Sequence, residues 1–184
     1  MNPQLILCLT GMPGSGKTTV AKAIERMGFY YISLGDVVRE ETLSRGLEVN
    51  DGNCGIVMKD LREKFGPQAV AQLSLKNFPR DKRLIVVDGI RSVHEVQVYR
   101  SIGKTRLLAI HASPERRYHF LVSRGRKDAP VSREDFDLRD RRELEVGLGD
   151  AIALSDEIIS NNSTLNALIK KVKVQVRIWL KEDV

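Results

Sequence analysis

The stretch Gly11-Met12-Pro13-Gly14-Ser15-Gly16-Lys17-Thr18 constrains this 184-residue chain more than any other, because it meets the pattern G-x-x-x-x-G-K-[ST] at every fixed position. Glycines at 11, 14 and 16 let the backbone take positive φ and approach a ligand closely, so successive N–H groups turn inward on an anion. Lys17 adds a cation on a long stem that can follow β- and γ-phosphates, and the Thr18 hydroxyl is placed to ligate Mg2+. The flanks agree with the motif. Leu5-Ile6-Leu7-Cys8-Leu9 is an apolar run of strand length, and Val20, Ala21, Ile24 and Met27 recur at helical spacing up to Gly28. Strand, loop and helix in that order predict that ATP is held by Gly11, Met12, Pro13, Gly14, Ser15, Gly16, Lys17, Thr18 and Thr19.

A second stretch, Arg83-Leu84-Ile85-Val86-Val87-Asp88-Gly89-Ile90-Arg91, is a continuous apolar run closed by an acid, the form of a parallel strand buried on both faces. An acid at a strand's carboxyl end stands where open α/β sheets bind ligands, which predicts that Asp88 holds a water of the Mg2+ that Thr18 ligates directly. Further strands are expected at 30–33, 107–111 and 156–161. Helices are expected at about 36–44 after a turn at Gly35, at 55–65, at 67–77 behind Gly66-Pro67, and from the capping box Ser92-x-x-Glu95 to Gly103. Others start at Ser113-Pro114-Glu115 and at Ser132-x-x-Asp135, the latter running towards Gly147. Residues 47–55, with Asn50-Asp51-Gly52-Asn53, read as a loop. Leu165, Leu168, Ile169, Val172, Val176, Trp179 and Leu180 form one apolar stripe that packs a closing helix on the sheet.

Strands alternating with helices predict an α/β fold of three layers, with a five-stranded parallel sheet in a single domain spanning 1–184. Insertions at about 36–78 and 114–150 are the expected acceptor-binding segment and lid. Arg39 and Arg91 each follow a strand end by a few residues and suit a bidentate clamp on an acceptor phosphate; surface pairing with Glu40 or Glu95 is the structural alternative. Asp36 either accepts from an acceptor hydroxyl or caps its helix. Arg124 and Arg126 are expected over the transferring group, or else on a solvated helical face.

The net charge of +6 and pI near 9.4 suit an anionic partner. Arginines crowd residues 116–142, but Glu115, Asp128, Glu134, Asp135, Asp137 and Asp140 are interleaved there without an aromatic platform, which favours nucleotide phosphates over nucleic acid. No apolar run approaches the ~20 residues of a membrane span, and the chain enters its first strand at once, so a cytoplasmic location is expected. Cys8 and Cys54 suggest no disulfide framework, and His94, His111 and His119 lack zinc spacing.

The first half of the chain resembles adenylate kinase and the wider nucleoside-monophosphate kinase group. Besides the phosphate loop, Ile32-Ser33-Leu34-Gly35-Asp36-Val37-Val38-Arg39 is similar to that group's acceptor-site strand and helix, and Asp88-Gly89-Ile90-Arg91 to its D-G-F-P-R turn. Leu34 replaces the usual threonine, and the proline before Arg91 is missing. The second half resembles dephospho-coenzyme A kinase: Arg124-Gly125-Arg126-Lys127-Asp128 with Val131-Ser132-Arg133-Glu134-Asp135 is similar to its lid, and Ser155-Asp156-Glu157-Ile158-Ile159-Ser160-Asn161-Asn162 to its closing segment. Together these look like an archaeal family of nucleotide kinases related to both. The resemblance implies ATP- and Mg2+-dependent phosphoryl transfer to a small phosphate-bearing acceptor, a nucleoside monophosphate first and dephospho-coenzyme A second. In the second case Asp36 would have to serve as base. The reading of a different class is a regulatory or RNA-associated NTPase, for which Gln97 is a weak water-orienting candidate.

Overall fold

The computed structural model describes residues 5–79, 81–125 and 129–183. Strands β1 (Leu5–Thr10), β2 (Tyr30–Ser33), β3 (Leu84–Ile90), β4 (Lys104–His111) and β5 (Glu157–Ser160) form one parallel sheet in the order β2-β3-β1-β4-β5. Parallel neighbours must be joined by crossovers. Here the helices are α1 (Lys17–Glu25), α2 (Leu34–Ser44), α3 (Asp51–Phe65), α4 (Ala69–Ser74), α5 (Val93–Arg100), α6 (Pro114–Ser123), α7 (Arg133–Glu145), α8 (Leu148–Ala153) and α9 (Leu165–Asp183).

Every residue of the central strand β1 is buried, and its alternation feeds two cores. Leu5, Leu7 and Leu9 pack with Val20, Ala21 and Ile24 of α1 and with Leu168, Val172, Val176 and Trp179 of α9. Ile6 and Cys8 face the other way, onto Leu34 and Val38 of α2, Val57 and Leu61 of α3, Val70 of α4 and Val96 and Tyr99 of α5. A buried leucine side chain stabilises by about 1.5–3 kcal/mol, so losing either helical layer would expose more than a fold of this size withstands. The stripe on α9 is therefore core.

Several boundaries differ from expectation, each for a local reason. Ser33 caps α2, its Oγ accepting from the Asp36 N–H at 3.2 Å, so β2 passes straight into a helix that starts at Leu34 and includes Gly35. Asp36 is thereby not the cap. Asn50 Oδ1 accepts from the Asn53 N–H at 2.9 Å, so the polar Asn-Asp-Gly-Asn stretch starts α3 rather than forming a loop through residue 55. The helix expected at 67–77 is α4 followed by a 3-10 turn at Leu75–Asn77. The helix expected to run to Gly147 ends at Glu145, and α8 follows it. β4 starts at Lys104, where the chain already pairs with Leu5.

β1 is flanked by β3 and β4, which the chain reaches on opposite sides, and this reversal opens a crevice beyond the carboxyl end of β1. The register of β1 and β3 slips after Leu9↔Asp88, resuming at Thr10↔Ile90.

Candidate active site

The loop between β1 and α1 lies in that crevice and is walled by backbone. A Cβ on Gly11 would meet the Ile110 carbonyl oxygen at 2.2 Å, and one on Gly14 the Arg117 carbonyl oxygen at 2.7 Å, so neither position admits a side chain. Two distant side chains hold the loop's carbonyls from behind. Asn161, just past β5, donates Nδ2 to the Ser15 carbonyl at 2.9 Å. Arg117 of α6 gives Nη1 to the Pro13 carbonyl at 3.2 Å and forms a two-point pair with Asp140 of α7 at 2.8 and 2.5 Å, its guanidinium stacked over Phe136. With the carbonyls held outward, the loop's N–H groups are preorganised for an anion.

Lys17 turns Nζ back onto the Gly11 and Met12 carbonyls at 2.6 and 3.0 Å. Burial brings its pKa down to about 8, against the opposing pull of Asp88 and Glu143; the nearby charges of Arg91 and Arg117 act with burial. The Ser15 hydroxyl is buried without a hydrogen-bond partner among the described residues. Both features fit a bound polyphosphate, which would restore a charged partner to Lys17 and offer an acceptor to Ser15.

Thr18 Oγ1 donates to Asp88 Oδ2 at 2.9 Å, joining the start of α1 to the end of β3. A hydroxyl paired with a carboxylate suits Mg2+, a hard cation that keeps several waters. Among the described residues no group of three or more histidine, cysteine, aspartate or glutamate side chains could hold a metal by itself. Thr18 and Asp88 would therefore share Mg2+ with phosphate oxygens and water.

A cleft of about 530 Å³ gathers these groups. Of the residues singled out from the sequence, Gly11, Pro13, Gly14, Gly16, Lys17, Thr18, Thr19, Arg39, Asp88, Arg91 and Arg124 line it. Met12 and Ser15 belong to the same loop, through the carbonyl that takes Lys17 and the buried hydroxyl. Arg126 lies outside the described residues. Asp36 lines a separate hollow of about 400 Å³ between β2, α2 and the chain around Leu73–Asn77. Its carboxylate accepts from Arg39 Nε at 3.1 Å and from the same guanidinium's Nη2, so Arg39 pairs with Asp36 rather than Glu40. Arg91 Nε donates to Glu143 Oε2 of α7 at 2.8 Å. Glu95 instead takes the Arg91 backbone N–H at 2.7 Å and Arg62 of α3 at 3.3 Å.

Sequence reasoning assigned no individual role to several lining residues. Arg116 donates Nη2 to the Ser163 carbonyl at 2.8 Å and lies over the Phe120 ring, giving the cleft an apolar, cationic wall near Leu165. Arg139 and Glu143 enter from α7, and Asn161 from the loop after β5. The Ser-Asn-Asn stretch after a strand was the one signal for Asn161; the alternating charges of α7 carried none for Glu143.

A family model described as an AAA domain matches residues 10–137. The UPF0200 protein TK1334 of Thermococcus kodakarensis is 40% identical over 175 residues, which cover 92% of this chain and 95% of that protein. Among solved structures, TT1252 from Thermus thermophilus has a TM-score of 0.63 at 20% identity, covering 96% of this chain and 98% of its own. Shikimate kinase from Acinetobacter baumannii, in complex with shikimate, has a TM-score of 0.61 at 15% identity, with 100% of this chain and 96% of that chain covered. The likenesses to these two structures show the fold, a P-loop kinase-like α/β sheet.

Proposed function

The chain belongs to the UPF0200 family, and on that premise we propose that it is an ATP-dependent phosphotransferase that acts on a small phosphate-bearing acceptor. The observation that carries this reading is that one cleft brings the phosphate loop, the Thr18–Asp88 pair and two arginines from different strand ends onto common walls. Phosphoryl transfer needs little covalent help from a protein; it needs in-line positioning and cations where charge spreads. The loop amides and Lys17 hold the donor's β- and γ-phosphates. Mg2+, when bound, neutralises charge between those phosphates, and Thr18 and Asp88 are the residues that would hold it. Arg116 and Phe120 offer the donor base a flat wall, and Arg124 and Arg139 approach from the lid side, about 114–150. The segment about 36–78 forms the acceptor side, where Arg39 and Arg91 anchor the acceptor's phosphate. That phosphate is the nucleophile if the acceptor is a nucleoside monophosphate, and only a handle if a hydroxyl elsewhere on the molecule attacks, as in dephospho-coenzyme A.

A hydrolytic switch would need a group orienting water beside the γ-phosphate. Gln97 is exposed on α5 and outside the cleft lining, which favours transfer over hydrolysis. The test is steady-state transfer from ATP to a panel of nucleoside monophosphates and dephospho-coenzyme A, with hydrolysis followed alongside. Arg39→Ala and Arg91→Ala should raise the acceptor KM by roughly 10- to 100-fold while the ATP KM barely moves. Steady hydrolysis with no acceptor phosphorylated, or wild-type acceptor kinetics in both variants, would overturn the proposal.

A further inference from the structure

The cleft contains a carboxylate for which donor binding has no use. Glu143, near the end of α7, is 16% exposed at its side chain. Its Oε2 accepts from Arg91 at 2.8 Å, whereas its Oε1 has no hydrogen-bond partner among the described residues. Burial pushes this carboxyl up, but Arg91, through charge and hydrogen bond, and then Lys17 and Arg139 outweigh it and hold the group below its ordinary value. It is therefore ionised at neutral pH.

An ionised carboxylate beside Lys17 and Arg91 is a handicap if the nucleophile is a phosphate dianion, since like charges at that range repel in a low-dielectric cleft. A phosphate nucleophile also has no proton to lose. A hydroxyl nucleophile reverses both statements: it carries no charge to be repelled, and its proton must go to a base as the new bond forms. Among the described residues two acidic side chains line the cleft, Asp88 and Glu143. Asp88 is engaged by Thr18, and Asp36, the sequence's own candidate base, is bound to Arg39 and faces the separate hollow. Among the described residues Glu143 remains, with one oxygen fixed by an arginine that also lines the acceptor side and the other without a hydrogen-bond partner among them.

Resting on the kinase reading above, we propose that the acceptor is a phosphate ester bearing a free hydroxyl, and that Glu143 orients this hydroxyl and takes its proton. The hydroxyl oxygen bonds to the γ-phosphorus of ATP as the bond from that phosphorus to the β,γ-bridging oxygen breaks. ADP leaves with that electron pair, and the hydroxyl proton passes to Glu143 Oε1 and on to water. The product is a phosphate monoester, not a phosphoanhydride. Arg91 then has two tasks, anchoring the acceptor's own phosphate through its terminal nitrogens and steadying Glu143 through Nε.

The experiment incubates the protein and ATP–Mg2+ with AMP, CMP and dephospho-coenzyme A, and identifies the product by phosphorus NMR. It then compares Glu143→Gln with the parent chain. The expected result is a monoester from dephospho-coenzyme A, with kcat in Glu143→Gln lowered about 100-fold or more and the ATP KM within about 3-fold. Thermal unfolding of the variant checks its fold, and Glu143→Asp keeps the test alive if Gln disturbs it. Transfer to a nucleoside monophosphate giving a diphosphate, or a Glu143→Gln kcat within about 5-fold of the parent, overturns the proposal. If ATP is hydrolysed and none of the three is phosphorylated, the kinase reading fails and takes the acceptor's identity with it, but the role of Glu143 stays open to test because water then serves as the hydroxyl. A drop of about 10-fold or more in that hydrolysis still supports Glu143 as proton acceptor, and unchanged hydrolysis removes it. No turnover of ATP under any condition overturns both.

Discussion

Replacing Arg117 by methionine would test whether the phosphate loop is held in shape by the body of the protein. The Arg117 side chain is 4% exposed and its partner Asp140 15%, so the pair is effectively desolvated. The guanidinium satisfies the Ala112 and Pro13 carbonyls and both Asp140 oxygens. Methionine keeps the packing over Phe136 but leaves a buried carboxylate without a countercharge, a loss that costs about 3–5 kcal/mol. In a chain of this size each kcal/mol lowers Tm by about 2–4 °C, so Arg117→Met should unfold roughly 6–20 °C below the parent in far-UV circular dichroism. Most of that penalty belongs to the orphaned Asp140 rather than to the lost attraction. The double variant Arg117→Met with Asp140→Leu should therefore recover more than half of the drop. The double variant still frees the Pro13 carbonyl, so its ATP affinity should stay weakened by about 10-fold although its stability returns. A single variant within about 2 °C of the parent, or a double variant less stable than either single, would refute the reasoning.

Asp88→Asn should raise the Mg2+ concentration for half-maximal turnover by about 10-fold and leave metal-free nucleotide binding within about 2-fold; an unchanged Mg2+ titration would place Asp88 outside the metal's shell. The Lys17 pKa falls from an ordinary 10.5 to about 8, so the folded chain binds fewer protons than the unfolded one between those values. The buried charge therefore costs stability below about pH 8, and the cost is relieved as pH rises towards 10.5. A bound polyphosphate should restore the proton. ATP binding at about pH 9 should then take up a substantial fraction of a proton, read as a buffer-dependent binding enthalpy; no proton uptake would contradict a depressed Lys17.

The parts legible in the sequence were those governed by neighbours along the chain. The phosphate loop needs its glycines at fixed spacing, and β1 and β3 announce themselves as unbroken apolar runs because both faces are covered. That put Lys17, Thr18, Asp88, Arg39 and Arg91 around one cleft. Parts decided by contacts across the fold were not legible. In Arg133–Glu145 the acids and bases alternate so closely that no periodicity marks an inner face, and Phe136 is its one buried residue. Only the position of α6 and β3 reveals that Asp140 meets Arg117 and Glu143 meets Arg91. Asp36 illustrates the converse. An acid two residues into a strand-to-helix turn reads as a cap or a base, but Ser33 takes the cap, and the first turn of α2 carries the carboxylate towards Arg39.

The back wall of the phosphate loop has a consequence for biosynthesis. Asn161 reaches Ser15 across 146 positions, and Arg117 reaches Pro13 across 104. At translation rates of about 5–20 residues per second, the motif is synthesised roughly 7–30 s before Asn161. Through that interval the nascent chain carries the nucleotide signature as covalent sequence without the structure that aims its amides. On the proposed function, ATP would thus gain its hold on the chain only after residue 161 has been synthesised. From then on a bound nucleotide would add its binding free energy to the folded chain, and chains cut short before Asn161 would be left without that protection.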